Sequence, residues 1–353
     1  MVTGLRTRQV VGKMSLEKWV ALGRKRIMRI LDKSRVSSMR HLEIKISEAG
    51  PYNQRVEPAP LSIAYRQLKR DGFIKVIESV PVEIVGPATY GRPGDHGKLQ
   101  KFMRLYDLHH TFVQKDEICG MQLEKLIFDT ALDCRSQYTI YGSGPIDDGT
   151  ILKKPSGSEI LFYNGNASYK GAGLDLFLEH NDTKIPIGIE AKNIREWIYP
   201  ASYEVWRMIA KATSLECLPI LASRKISFIC RAGFFSKVGI LGFQTHFQYF
   251  NPRVKAASKY KFAEVLKKDG LGYADIKITN EVPSFFLNYF ENTIPENVEE
   301  YYKKFMDHKD ILKEYAIDKG MADKKMPDQK RRILYGNLKE ELGFEDPSFE
   351  GSD

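Results

Sequence analysis

Two runs of alternating apolar residues stand on either side of a polar cluster in the middle of the chain. The first is Leu176-Phe177-Leu178, the second Ile185-Pro186-Ile187-Gly188-Ile189, and Asn181-Asp182-Thr183-Lys184 lies between them. Period-two alternation interrupted by turn-forming residues predicts a β-hairpin. With the turn centred on Asp182-Thr183, cross-strand partners carry numbers that sum to 365. Leu176 then faces Ile189 and Leu178 faces Ile187, which makes one apolar face. Asp175 falls opposite Glu190 on the other face, with Lys192 two residues further along it.

Other elements follow from the same kind of pattern. Cys119 to Phe128 reads as an amphipathic helix with Leu123, Leu126 and Ile127 on one side. Tyr138–Tyr141 and Glu159–Tyr163 read as strands. Ala201–Leu215 spaces Val205, Met208, Ile209 and Ala212 at helical intervals, and Leu218–Ala222 and Val238–Phe243 read as strands. After about residue 255 the pattern weakens. Val298–Met306 and Ile311–Tyr315 suggest helices that either pack on the preceding core or mediate dimerisation. Met321–Arg332 is a charged run, and the last eleven residues read as frayed.

The N-terminal third has a different rhythm. Helices are predicted over Ser15–Leu31, His41–Ile46 and Pro60–Gly72, the last with proline at its start and glycine at its end. Two extended runs follow, Phe73–Ile77 and Val80–Val85. Residues 86–100 are rich in Gly and Pro and read as a long wing tip after these strands or a linker between domains. His96, His109 and His110 lack a second partner at ligand spacing and are expected to be solvated or packed.

Charge changes the picture here. Residues 1–70 hold 16 Lys and Arg against 5 Asp and Glu, a net +11 that exceeds the +9 of all 353 residues. A basic segment of that strength points to a polyanion. The four cysteines, at 119, 134, 217 and 230, form no close pair, so buried thiols in a reducing compartment are expected and structural zinc is not. No apolar run has the length of a signal or a membrane span. The length suits two or three domains.

Directly opposed residues of a hairpin stand ~4.5–5.5 Å apart at Cβ, so Asp175 and Glu190 would repel unless a cation joined them. Carboxylate oxygens are what a hard ion such as Mg²⁺ prefers. Two acids holding a divalent ion beside an ammonium can polarise a phosphodiester, activate water and stabilise the pentacovalent anion.

Asp175, a 14-residue gap and Glu190-Ala191-Lys192 resemble the motif of the PD-(D/E)XK nuclease superfamily, which includes restriction endonucleases and junction resolvases. One departure is Leu174, where the family places proline. The resemblance covers roughly residues 115–250 and implies a restriction-endonuclease-like α/β core, a mixed central sheet flanked by helices. It also implies metal ligation by Asp175 and Glu190, with Glu124 on the preceding helix as a further ligand, and Lys192 supporting the attacking water or the transition state. Asn193, Arg224 and Lys225, just past these elements, are candidates for phosphate contact. Separately, Ala64-Tyr65-Arg66-Gln67-Leu68-Lys69-Arg70-Asp71-Gly72-Phe73-Ile74 resembles the recognition helix and first wing strand of a winged helix. That resemblance puts Arg66, Lys69 and Arg70 against DNA.

The organisation expected is therefore a winged-helix DNA-binding domain over 1–90, a linker over 91–114, a nuclease core over 115–255 and a helical C-terminal region over 256–353. The activity expected is a Mg²⁺-dependent, sequence-specific endonuclease of the restriction type, with Mn²⁺ as a substitute cofactor and double-stranded DNA as substrate. It would be a homodimer in the cytoplasm, associated with the nucleoid when bound to DNA. Two alternatives stand beside it: a DNA-binding regulator or complex subunit whose nuclease-like core does not cut, and a nuclease for branched DNA.

Overall fold

The computed structural model describes residues 15–47, 56–79, 82–113, 120–143, 162–194, 196–252 and 276–346. They are mixed α/β and divide into two compact units, one within Met1–Thr111, the other within Phe112–Lys261 and Asp275–Pro347. No helix among them is long and apolar enough to cross a membrane.

The first unit opens with α1 (Leu16–Ser34), whose N-cap Ser15 accepts the Lys18 N–H at 3.4 Å and whose end is marked by Arg35 at φ 66°. Next come β1 (Ser37–Ser38), α2 (Met39–Ser47) and α3 (Pro58–Arg70), then β2 (Ile74–Glu78) and β3 (Ile84–Pro87). Trp19, Val20, Ile27 and Leu31 of α1 share a core with Leu61, Ala64 and Leu68 of α3. Gly23 lets the two helices approach, since a Cβ there would lie 3.1 Å from that of Ala64. The strands make a three-stranded antiparallel sheet in the order β1-β3-β2.

Where the sequence suggested a linker over 91–114, the chain forms α4 (Asp95–Val113). The Asp95 carboxylate is the reason. It accepts the N–H groups of Gly91 and Arg92, each at 2.9 Å, and pairs with Arg35 Nε and Nη2 at 2.9 and 3.1 Å. One residue therefore fixes the turn that leads into the helix and ties it to the end of α1. His96, one residue on, is exposed and its Nε2 bonds the Gln100 side chain at 3.0 Å. The side chains of His109 and His110 lie outside the described residues.

The second unit is built on a five-stranded mixed sheet. Its elements are α5 (Gly120–Asp133), β4 (Tyr138–Ser143), the short pair β5 (Phe162–Tyr163) and β6 (Asn166–Ala167), β7 (Leu176–His180), β8 (Pro186–Lys192), α6 (Tyr203–Leu215), β9 (Leu218–Ser223) and β10 (Leu241–Gln244). The strand order is β10-β9-β8-β7-β4; β4, β7 and β8 are antiparallel neighbours, and β9 and β10 run parallel to β8. The hairpin register matches the sequence expectation: Leu176 pairs with Ile189 and Leu178 with Ile187. The strand predicted from Val238 starts only at Leu241, because Val238 closes a short helix and Gly239 turns at φ 79°. A Cβ on Gly239 would run into the Tyr301 and Phe305 backbone. Residues 159–161 of another predicted strand lie outside the described ones.

Alternation splits the core into two layers. Leu176, Leu178, Ile187, Ile189, Leu218 and Ile220 join Leu123, Leu126 and Ile127 of α5 in one cluster. Phe177 and Leu221 join Val205, Trp206, Met208 and Ile209 of α6 in the other. Each side chain of this size contributes roughly 1.5–3 kcal/mol when fully buried. The described C-terminal segment belongs to the same unit. Phe286, Phe290, Ile294 and Val298 complete the first cluster, and Phe305, Leu312, Tyr315 and Leu338 the second. Arg331 folds its turn, donating to the carbonyls of Met321, Asp323 and Met326 at 2.9 to 3.0 Å.

Asp95 also gives the first unit a pH signature. The Arg35 guanidinium, ahead of the two backbone N–H groups, holds its carboxyl well below the usual carboxylate range. A depressed folded pKa means stability present above about pH 4, the unfolded value, and lost as pH falls toward the folded one. Asp95→Asn should therefore lower the melting temperature at pH 7 and flatten its decline between pH 5 and 2.5. Thermal melts across that range check this; an unchanged acid slope would refute it.

Candidate functional site

Residue alternation on β8 sends Ile187, Ile189 and Ala191 toward α5 and leaves Gly188, Glu190 and Lys192 on the side covered by α6. That second side is not solvent. Gly188 is overlaid by Leu174 and Cys217, so that a Cβ would meet both side chains. Leu174 thus seals the base of the hairpin, and only glycine at position 188 leaves room for it.

At the open end of the hairpin the expected residues come together. Asp175 lies just before β7, and its Oδ2 accepts the Ala191 N–H at 2.6 Å. Glu190 is 1% exposed; its Oε1 accepts from Lys192 Nζ at 2.7 Å. The same ammonium is 4.0 Å from Asp175 Oδ2. Glu124, half-buried on α5, contributes to the electrostatic field on Lys192.

A further member was not anticipated. Lys211 Nζ donates to Glu190 Oε2 at 2.8 Å with its side chain only 3% exposed. The signal was present in the pattern: Lys211 stands three residues after Met208 and four before Leu215, on the apolar stripe of α6. A lysine on a buried stripe requires an acid across the interface.

The electrostatics follow from burial. Loss of water, then the charge of Glu190, pushes Asp175 up to about 6, against the opposing pull of Lys192 and Lys211. For Glu190 burial also works against the charged form, but Lys192 and Lys211 outweigh it and its pKa is lowered. Lys192 likewise loses water and is nonetheless raised, by Glu190 and then Asp175.

The basic candidates separate into two groups. Arg66, Lys69 and Arg70 are exposed on α3, with Lys69 paired to Glu83 at 2.7 Å and Arg70 to Asp71 at 3.1 Å. Asn193, Arg224 and Lys225, expected at phosphate, are buried instead. The Asn193 amide brackets the Tyr249 backbone, donating to its carbonyl at 2.6 Å and accepting its N–H at 2.9 Å. Arg224 is fully buried, and the Lys225 ammonium lies 5.7 Å from the centre of the Trp197 ring. All three follow strand ends that continue into packed chain rather than into solvent. Cys134, Cys217 and Cys230 are buried thiols; burial pushes the latter two up, and Cys119 lies outside the described residues.

Among the described residues no group of three or more His, Cys, Asp or Glu could hold a metal by itself. The donor set still fits Mg²⁺, an ion commonly held by one or two carboxylates with water and phosphate oxygens filling the shell. No family model, curated protein or solved structure matches the chain.

In EDTA at pH 8 the ionised Asp175 is a cost to folding. Its pKa, raised to about 6, means that the charged form is held less well in the folded chain than in the unfolded one. Asp175→Asn keeps an acceptor for the Ala191 N–H and removes the charge. It should stabilise the protein by about 1–3 kcal/mol in urea unfolding. A destabilised variant would show that Asp175 is held comfortably as a carboxylate.

Proposed function

We propose that the chain is a metal-dependent, sequence-specific DNA endonuclease of the restriction type, hydrolysing phosphodiester bonds in double-stranded DNA. The observation that carries this reading is the pair of acids at the end of one hairpin, half-buried Asp175 and buried Glu190, with Lys192 between them. Structural ion pairs place one acid against one base. Here the two acids share Lys192, and loss of water first, then the charge of Glu190, pushes Asp175 toward neutrality, a cost that a functional site explains.

Two further features support it. Helix α5, three antiparallel strands, α6 and a strand parallel to the third form the order that the PD-(D/E)XK resemblance implies. In the first unit three helices precede an antiparallel strand pair and α3 ends in exposed basic residues, as in a winged helix, with α4 following as a fourth helix.

In this reading Asp175 and Glu190 hold the divalent cation, Mg²⁺ or Mn²⁺, and Glu124 assists from α5. What the ion supplies when bound is Lewis-acid polarisation of the scissile phosphate and activation of water. Lys192 stabilises charge on the phosphoryl oxygens or orients the attacking water. Arg66, Lys69 and Arg70 bind the duplex, giving up their contacts with Glu83 and Asp71 for phosphates and base edges. The cutting of both strands suits a homodimer.

A second reading, a DNA-binding regulator with a non-cutting core, draws on one observation. Both oxygens of Glu190 are already engaged by lysines, which would make the acid purely structural.

Cleavage separates the two. Mixed-sequence plasmid incubated with the protein in Mg²⁺ or Mn²⁺ should give discrete fragments that vanish in EDTA and with Asp175→Ala. DNA that is retarded on a gel yet left intact under all three conditions favours the regulator, with branched DNA the next substrate to try. Binding is tested independently by Arg66→Ala/Lys69→Ala/Arg70→Ala. The triple variant should weaken duplex binding at least 10-fold and reduce the salt dependence of log K by about 2–3. Unaltered binding would remove α3 from the interface.

A further inference from the structure

Resting on the nuclease reading, we infer that Lys192 is the resident cation of the site: it holds the place between Asp175 and Glu190 and must give it up for a divalent ion to enter. The two lysines on Glu190 differ in a way that decides which can leave. Lys211 reaches Oε2 from the packed face of α6, and its side chain is 3% exposed. Lys192 reaches Oε1 from the end of β8, faces Asp175 as well, and is 22% exposed. Lys211 is locked in by its helix; Lys192 has a way out.

Charge balance requires the exchange. Asp175 and Glu190 are offset by Lys192 and Lys211, so the cluster is neutral as it stands. A divalent ion added with both ammoniums in place would leave these four groups at a net +2, offset only in part by Glu124 on α5, which a low-dielectric surrounding disfavours. Departure of Lys192 removes half of that excess. A DNA phosphate supplies the departing ammonium with a new anion and the pocket with a further negative charge. Cation binding and phosphate binding are thereby linked through Lys192, and each strengthens the other. Lys211 stays behind as a positioning residue that fixes the orientation of Glu190 through the exchange. Free of DNA, the protein should hold divalent ions weakly, and Lys192 is the reason.

The test is isothermal titration of Mn²⁺ into the full-length protein without DNA, for the wild type, Lys192→Met and Lys211→Met. Lys192→Met should bind Mn²⁺ at least 10-fold more tightly than wild type, whereas Lys211→Met, in which Lys192 keeps its place, should not bind more tightly. Equal tightening in both variants would reduce the effect to net charge and overturn the inference. So would a Lys192→Met affinity no better than wild type. Failure of all three proteins to bind Mn²⁺ would instead remove the metal-dependent nuclease reading, and the inference with it. Because either substitution can unfold the core, the wild type is also probed directly by reductive methylation of lysines and peptide mass spectrometry. Mg²⁺ should raise Lys192 labelling several-fold over EDTA and leave Lys211 protected. Lys192 labelling that is unchanged by Mg²⁺, in protein that binds the ion, overturns the inference.

Discussion

Glu190 is a carboxylate with almost no access to water, standing on the central strand of a five-stranded sheet. An isolated charge in such a place is unaffordable, so its surroundings have to be built around it. Lys211 must come from the face of α6 that would otherwise be wholly apolar, which fixes the rotation of that helix over the sheet. The β8-to-β9 crossover is set by the same helix, because Glu216 at φ 54° ends α6 and turns directly into β9. Lys192 then has to lie at the strand end, where one oxygen of Glu190 remains to be satisfied. The position of the acid thus constrains helix, crossover and neighbouring side chains together.

The apolar layers make this arrangement rigid enough to persist. One face of the hairpin is closed by α5 and the C-terminal aromatic residues Phe286 and Phe290, the other by α6 with Trp206 and Phe234. Leu174 over Gly188 closes the base of the hairpin just ahead of Asp175. The backbone that carries Asp175 has little freedom to retreat from Glu190. Repulsion between two acids is normally relieved by a small movement; here the Ala191 N–H also holds Asp175 in place. The site can keep an electrostatic cost because the packing around it prevents relaxation.

The sequence made some of this legible and hid the rest for physical reasons. The hairpin register was readable because only one alignment places both the Leu/Ile pairs and the Asp175–Glu190 pair on consistent faces. Glu124 is singled out by its helix position, and its charge is the weakest of those that act on Lys192. Lys211 was passed over since a helix lysine is ordinarily solvated, and its burial depends on a partner 21 residues away. Asn193, Arg224 and Lys225 looked like surface contacts because a strand end usually meets solvent. Whether it does depends on the chain that follows, and here Tyr249 meets Asn193 and Trp197 meets Lys225. The start of α4 was obscured by the Gly and Pro residues before it. Its determinant, Arg35, lies 60 positions away from Asp95. Short-range periodicity was recoverable; tertiary ion pairs were not.

Charge is distributed unevenly in a way that bears on how such a protein would work. The surplus of positive charge sits in residues 1–70, at +11, while the remaining chain is slightly acidic. The buried cluster adds nothing to the attraction of a polyanion, since its two acids and two lysines cancel. In the nuclease reading, affinity for DNA and chemistry would therefore draw on different residues. A catalytic cluster that was itself strongly positive would hold phosphate without discrimination, and one strongly negative would repel it. A neutral cluster avoids both, provided one of its cations can be exchanged once DNA is held elsewhere. Lys192, with one foot on each acid and the greater exposure of the two lysines, is the residue in that position.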